Sequence, residues 1–287
     1  MSRAAPEATE LPTILAFTPR ERARALVRSA FPKRKFRVLS PRDAAEFSSI
    51  IRRMLVDAAV VDIGSPLAAA SLANASSELN HCTTNGDDTW KIAALAQEFP
   101  SAPFFAITPL RATDAPAVAR ISALEFCDVI ADGIDDHVAR DIIAPQTFSA
   151  RFYAALVEPP PALRLETEMQ VKTWRAILAS AGRPVRTSYL AKAAGVSREH
   201  LSRNFSERGS PNLKRVIDLV RMIAAAELAK NPGLDIKDVA KILGFASSSH
   251  LAVTAQRVIG TRPASLSRLR TIDLIERFMQ GRTRSRG

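Results

Sequence analysis

Apolar positions fall into two rhythms along the chain. Before about residue 155, short apolar runs alternate with longer stretches of helical character, the pattern of a parallel sheet covered by helices. The runs Thr13–Phe17, Phe36–Leu39, Ala58–Ile63, Phe104–Thr108 and Cys127–Ile130 predict five strands. Helices are expected over Arg20–Ala30, Arg42–Leu55, Trp90–Phe99 and Ala115–Leu124, with one more leading toward Tyr153. Asn74–Asp88, rich in Ser, Thr, Asn and Asp, reads as an inserted loop.

The rhythm changes at Glu158-Pro159-Pro160-Pro161, because proline lacks the amide hydrogen and restrains the residue before it. Everything beyond reads as helix, punctuated at Gly182, Gly195, Gly209, Asn231-Pro232-Gly233, Gly244 and Gly260. A chain of 287 residues exceeds the usual single domain. The expected division is an α/β domain over 1–157, a linker over 158–168 and an all-α domain over 169–287.

Within the helical half, Leu190-Ala191-Lys192-Ala193-Ala194-Gly195-Val196-Ser197 aligns with Val239-Ala240-Lys241-Ile242-Leu243-Gly244-Phe245-Ala246. Each copy sets a small Ala four residues before a Gly, as two helices crossing closely through a tight turn require. Candidate N-caps are Thr187 and Asp235 for the first helix of each copy, and Ser197 and Ser247 for the second. Asn212–Lys230 predicts a connecting helix, about 28 Å long at roughly 1.5 Å per residue. A rigid connector of that length can hold two recognition helices near the ~34 Å repeat of DNA.

Charge sharpens this picture. Residues 1–162 carry 17 basic and 19 acidic side chains, whereas residues 163–287 carry 23 and 10. A positive excess confined to the domain with the duplicated motif predicts double-stranded DNA as its partner. No GxGxxG, P-loop, HExxH or GxSxG occurs, and His81, His137, His200 and His250 define no triad, so no enzymatic activity and no cofactor are expected. Cys82 and Cys127 fit neither a disulfide framework nor zinc spacing. Without a signal sequence or a long apolar span, the expectation is a cytoplasmic protein with no membrane partner.

Residues from about Met169 to Arg270 resemble the AraC/XylS family of transcriptional regulators. The first unit resembles it through Gly195-Val196-Ser197-Arg198-Glu199-His200-Leu201-Ser202-Arg203-Asn204-Phe205, the connector through Arg221, Ala225 and Leu228, and the second unit through Gly244-Phe245, Leu251, Arg257, Gly260 and Pro263. The resemblance implies DNA contacts from Arg198, Glu199, Ser202 and Arg203 in the first unit. Ser247, Ser248, Ser249, Ala252 and Arg257 are the candidates in the second. Arg pairs bidentately with guanine and Glu accepts from cytosine, whereas Ser and Ala offer little base-specific chemistry. Base reading is therefore expected to concentrate in the first unit, with the second positioning the protein on phosphates. His200 is expected to pack or to meet phosphate, and Trp174 and Phe278 to be core.

The βα order over residues 11–155 is similar to that of response-regulator receiver domains, a flavodoxin-like fold. The resemblance makes Asp62 the phosphoacceptor and Thr108 the switch hydroxyl. However, Phe17-Thr18-Pro19 stands where the family's metal-binding acidic pair falls, and its Lys falls near Asp132. Two carboxylates without that cation would repel a phosphoryl group. A pseudo-receiver serving homodimerisation or an unidentified signal is expected, with RNA polymerase as a further partner. An architectural DNA-binding protein of weak sequence preference and a phosphorylation-controlled regulator remain the alternatives.

Overall fold

A computed structural model describes residues 11–64 and 84–283. It divides between Ala150 and Arg151 into two compact units, one on Leu11–Ala150 and one on Arg151–Lys230 and 234–283.

The first unit is a five-stranded sheet with strands β1 (Thr13–Phe17), β2 (Arg37–Leu39), β3 (Ala58–Asp62), β4 (Phe104–Thr108) and β5 (Asp128–Ala131). Every pairing is parallel and the order is β2-β1-β3-β4-β5, the flavodoxin-like order. Its helices are α1 (Glu21–Ala30), α2 (Ala44–Ile51), α3 (Thr84–Glu98), α4 (Ala115–Ser122) and α5 (Asp136–Ile143). β1, β3 and β4 are buried throughout because helices cover both faces of the sheet, whereas edge strands β2 and β5 keep exposed positions. On one face, Ile14, Ala16, Val60, Phe105 and Ile107 pack with Ala23, Val27, Ala139 and Ile143 from α1 and α5. Phe47 of α2 meets Phe104 at 6.0 Å between ring centroids.

The five expected strands are all present, two with the expected bounds. Three helical expectations change. The helix expected over Arg42–Leu55 is confined to α2, which starts where Asp43 accepts a hydrogen bond from the Glu46 amide at 2.7 Å. Residues Thr84–Asp88, expected to be loop, already belong to α3, and the rest of that loop lies outside the described residues. The stretch toward Tyr153 is two helices, α5 and α6 (Phe148–Leu156), separated by a 3-10 turn containing Pro145.

The helical unit continues through α7 (Glu168–Leu178), α8 (Thr187–Ala194), α9 (Arg198–Asn204), α10 (Leu213–Leu228), α11 (Ile236–Ile242), α12 (Ser248–Ile259) and α13 (Thr271–Thr283). Its axis is α10, the expected connector, which buries Val216, Leu219, Val220, Ile223 and Ala224 and packs against α7, α11, α12 and α13. Asn212 caps it, accepting from the Arg215 amide at 2.9 Å. At 16 residues it is about 24 Å long, shorter than expected because Asn212 lies outside as the cap and the last turn closes at Ala229. Gly182 sits against this helix with φ +82°, and a Cβ there would stand 2.3 Å from the Ala224 Cβ. Trp174 and Phe278 are both core, and the Trp174 indole donates to the Leu156 carbonyl at 2.8 Å.

Candidate functional site

The duplicated motif folds the same way twice. α8 ends at Gly195 with φ +72°, and the turn after α11 holds Gly244 with φ +63°. The next amide reaches back to the small residue of the motif, Val196 to the Ala191 carbonyl at 3.0 Å and Phe245 to the Ala240 carbonyl at 2.8 Å. This back-bonding satisfies carbonyls that a helix end leaves open, and left-handed φ favours Gly at the turn. Ala191 and Ala240 are both buried.

The second helix of each unit starts from a serine cap. Ser197 accepts from the His200 amide at 3.1 Å, and Ser247 from the His250 amide at 3.0 Å. The second turn is one residue longer, with Ala246 inserted before its cap. Asp235 caps α11 in a reciprocal arrangement with Asp238. Thr187 does not cap α8: it is the first helical residue, and extended Arg186 precedes it without a side-chain cap bond.

Buried Leu201 and the following Phe205 turn one side of α9 inward, leaving Arg198, Glu199, His200, Ser202 and Arg203 exposed. Arg198 and Arg203 have no carboxylate partner among the described residues. His200 is exposed, its ring 3.2 Å from the Asn204 side-chain amide, so it is not a packing residue. All four first-unit candidates therefore share one solvent-facing surface.

On α12, Leu251, Thr254, Ala255, Val258 and Ile259 are buried. Ser247 and Ser249 are exposed, and Ser248 and Ala252 half-buried, while the Ser247 hydroxyl is engaged as a cap. Arg257 is tied to Asp218 of α10 at 2.8 Å, with half of its side chain still exposed. The outward face also presents Val253, 65% exposed, and Gln256, neither of them among the contact candidates read from the sequence. With the face of Leu251, Ala255 and Val258 buried, helical spacing turns Val253 and Gln256 outward.

The two units are held by different chemistry. Gln170, fully buried on α7, donates to the Phe205 carbonyl at 2.8 Å and the Ser210 hydroxyl at 2.9 Å, locking the end of α9 with neutral groups. At the second unit, Arg221 of α10 stacks 3.7 Å from the Phe245 ring centroid and donates to the Leu243 carbonyl at 2.9 Å. Burial lowers the Arg221 guanidinium below its ordinary range, against the opposing pull of Asp218.

In the α/β unit, Asp62 ends β3 and is completely buried. Arg20, extended just before α1, lays its guanidinium on this carboxylate: Nε lies 2.9 and 3.0 Å from the two oxygens and Nη2 lies 2.6 Å from Oδ1. Its Nη1 donates to Asp132, and its backbone amide to Asp62 at 3.2 Å. Arg20 thus bridges the two carboxylates, so the cleft is not the repulsive acidic pair expected from sequence. These two acids hold the guanidinium charged, above its ordinary range despite burial. Burial raises the Asp62 carboxyl against the pull of Arg20.

Gly64 closes over this pair, since a Cβ there would lie 2.3 Å from Pro109 and 2.9 Å from the Arg20 guanidinium. The switch-position hydroxyl is engaged as well: Thr108 donates to the Asp114 carboxylate at 3.0 Å. Burial would raise Asp114, but the Arg111 amide and guanidinium and this hydroxyl outweigh it and hold the carboxyl below its usual range. The divalent cation implied by the receiver resemblance does not fit these residues. Phe17 and Thr18 supply no carboxylate, and a fixed cation already spans Asp62 and Asp132.

Residues 190–268 match a family model described as a helix-turn-helix domain. A stretch of 86 residues, 30% of the chain, is 31% identical to the HTH-type transcriptional regulator GlxA of Rhizobium meliloti (strain 1021), of which it spans 26%. Among solved structures, a response regulator from Thermotoga maritima aligns with 48% of this chain and 98% of its own at 15% identity and a TM-score of 0.35. Full-length FixJ from B. japonicum aligns with 85% and 96% at 12% identity and a TM-score of 0.31. At those scores the assignment of the α/β unit rests on its own strand order. The sequence match and the twice-built turn make residues 190–268 a helix-turn-helix domain of the AraC type.

Proposed function

We propose that this protein regulates transcription by binding double-stranded DNA through both helix-turn-helix units, with base reading concentrated in α9. The observation that carries the reading is the surface of α9, where Arg198, Glu199, Ser202 and Arg203 are all exposed and the two guanidiniums have no carboxylate partner among the described residues. Guanidiniums free of carboxylates can pair with guanine without first breaking an ion pair. On α12 the candidates Ser247, Ser248, Ser249 and Ala252 are small, and Arg257 is partly neutralised by Asp218, a set suited to phosphate and methyl contacts. Selection of binding sites from random duplex DNA at moderate salt tests this reading. Recovery of a motif with its strong positions in one half supports it; no enriched motif would establish the architectural alternative.

The α/β unit acts in this reading as a pseudo-receiver that works without phosphorylation. Arg20 supplies a fixed cation between Asp62 and Asp132, and Asp114 already holds the Thr108 hydroxyl. Incubation with acetyl phosphate and Mg²⁺ should leave no label on Asp62. Labelling lost in Asp62→Asn would show the domain to be phosphorylation-controlled.

A further inference from the structure

We propose that a cleft at the C-terminal ends of β1 and β2 binds a small organic anion, a carboxylate or phosphate carried on a compact apolar body. None of its lining residues holds the Asp62 carboxylate or belongs to a helix-turn-helix unit. It encloses about 380 Å³, enough for a small metabolite. It lies beyond the carboxyl ends of β1 and β2, one strand away from the β1/β3 switch point of this strand order.

The lining divides by chemistry. Ala16 and Phe17, the last two residues of β1, combine with Pro19 and Pro41 to offer an apolar surface with little freedom to collapse. Arg24, Arg28 and Arg42 line the cleft as well. Arg24 is fixed in place, donating through Nε to the Thr18 carbonyl at 3.3 Å, through Nη2 to the Pro19 carbonyl at 3.0 Å and through Nη1 to Glu21 at 2.8 Å. A guanidinium has five N–H donors, so two remain for a ligand. Arg28 has only a 3.7 Å approach to the same Glu21, and the Arg42 side chain has no carboxylate partner among the described residues. Glu46 faces this region but is engaged by the Arg42 backbone amide at 2.8 Å. Arg24 and Arg28 therefore share one exposed carboxylate, Glu21, and Arg42 has none of its own.

The surrounding charge acts in the same direction. Residues 20–53 carry eleven Arg and Lys against three Asp and Glu, although the chain through residue 162 is slightly acidic as a whole. A cleft with low-dielectric walls in such a segment concentrates anions. The apolar floor separates this ligand class from a bare inorganic ion, and the small volume separates it from a polyanion.

The test is calorimetric titration of the full-length protein, without DNA, using phenyl phosphate, phenylacetate, inorganic phosphate and benzyl alcohol. We expect saturable binding of the first two, at least tenfold weaker binding of inorganic phosphate, and none of the neutral alcohol. Arg42→Gln, at an exposed position, should weaken phenyl phosphate about tenfold with unchanged thermal stability, and Arg24→Gln should do at least as much. Arg34→Gln with Lys35→Gln removes two exposed charges outside the cleft and should change binding less than twofold. Absence of binding by both aromatic anions, or equal weakening by the Arg34/Lys35 pair, would overturn the proposal. So would loss of DNA affinity in Arg42→Gln with phenyl phosphate binding intact, which would assign this face to a polyanion.

Discussion

The two helix-turn-helix units share a backbone and differ in almost everything attached to it. Both turn on a left-handed glycine, both return an amide to a small buried alanine, and both start their second helix from a serine cap. Yet α9 presents Arg198, Glu199 and Arg203, charged and without ion-pair partners among the described residues, while α12 presents Ser249, Val253 and Gln256. The anchoring is reversed: the first unit is fastened by the neutral amide of Gln170, and the second by Arg221 and the Arg257–Asp218 pair. The fold therefore constrains only the turn and the inward face. The outward face is free to diverge, and here it has done so within one polypeptide.

The largest effect is expected where the first unit is fastened. Gln170→Ala removes the donor to the Ser210 hydroxyl and one of the two donors to the Phe205 carbonyl, and opens a cavity, costing about 3 kcal/mol of stability by denaturant unfolding. A loss under about 0.5 kcal/mol would remove the claim that this residue holds α9. Next come the base contacts: Arg198→Ala or Arg203→Ala should each cost roughly 1–3 kcal/mol in affinity for the selected site and much less for random DNA, by titration at fixed salt. Equal losses on both DNAs would make these arginines phosphate contacts. Arg257→Ala takes the hydrogen-bonded guanidinium from the nearly buried Asp218 carboxylate, leaving it only the longer-range attraction of Arg221, and should cost about 1–2 kcal/mol of folding stability, largely restored by adding Asp218→Asn. Ser249→Ala and Gln256→Ala should be smallest, within about 0.5 kcal/mol for any DNA, as expected of an exposed face that reads few bases.

The duplication was legible because its turn depends on local requirements, Gly at positive φ and a small residue at the crossing, which leave a mark on the sequence. Strands Thr13–Phe17 and Phe104–Thr108 were legible because helices cover both their faces and every position is apolar or small. The start of α3 was not, since Thr84–Asp88 has the composition of a loop and its helix is decided by the tertiary context. Least visible were the long-range ion pairs. Arg20 lies 42 residues from Asp62 and 112 from Asp132, and Arg257 lies 39 from Asp218. Nothing local distinguishes these arginines from solvated ones, so a cleft that reads as two bare carboxylates is in fact bridged. Of the outward positions of α12, Val253 and Gln256 were missed as candidates for a related reason: Ala252 lies beside Val253 in sequence, and only burial tells the two faces apart.

The central claim is that one unit reads sequence and the other holds position. Its most direct test measures affinity for the selected site after scrambling each half in turn, at one salt concentration. Scrambling the half contacted by α9 should weaken binding at least a hundredfold, and scrambling the other half less than fivefold. Comparable losses from both halves would contradict the account and show that α12 reads bases as α9 does.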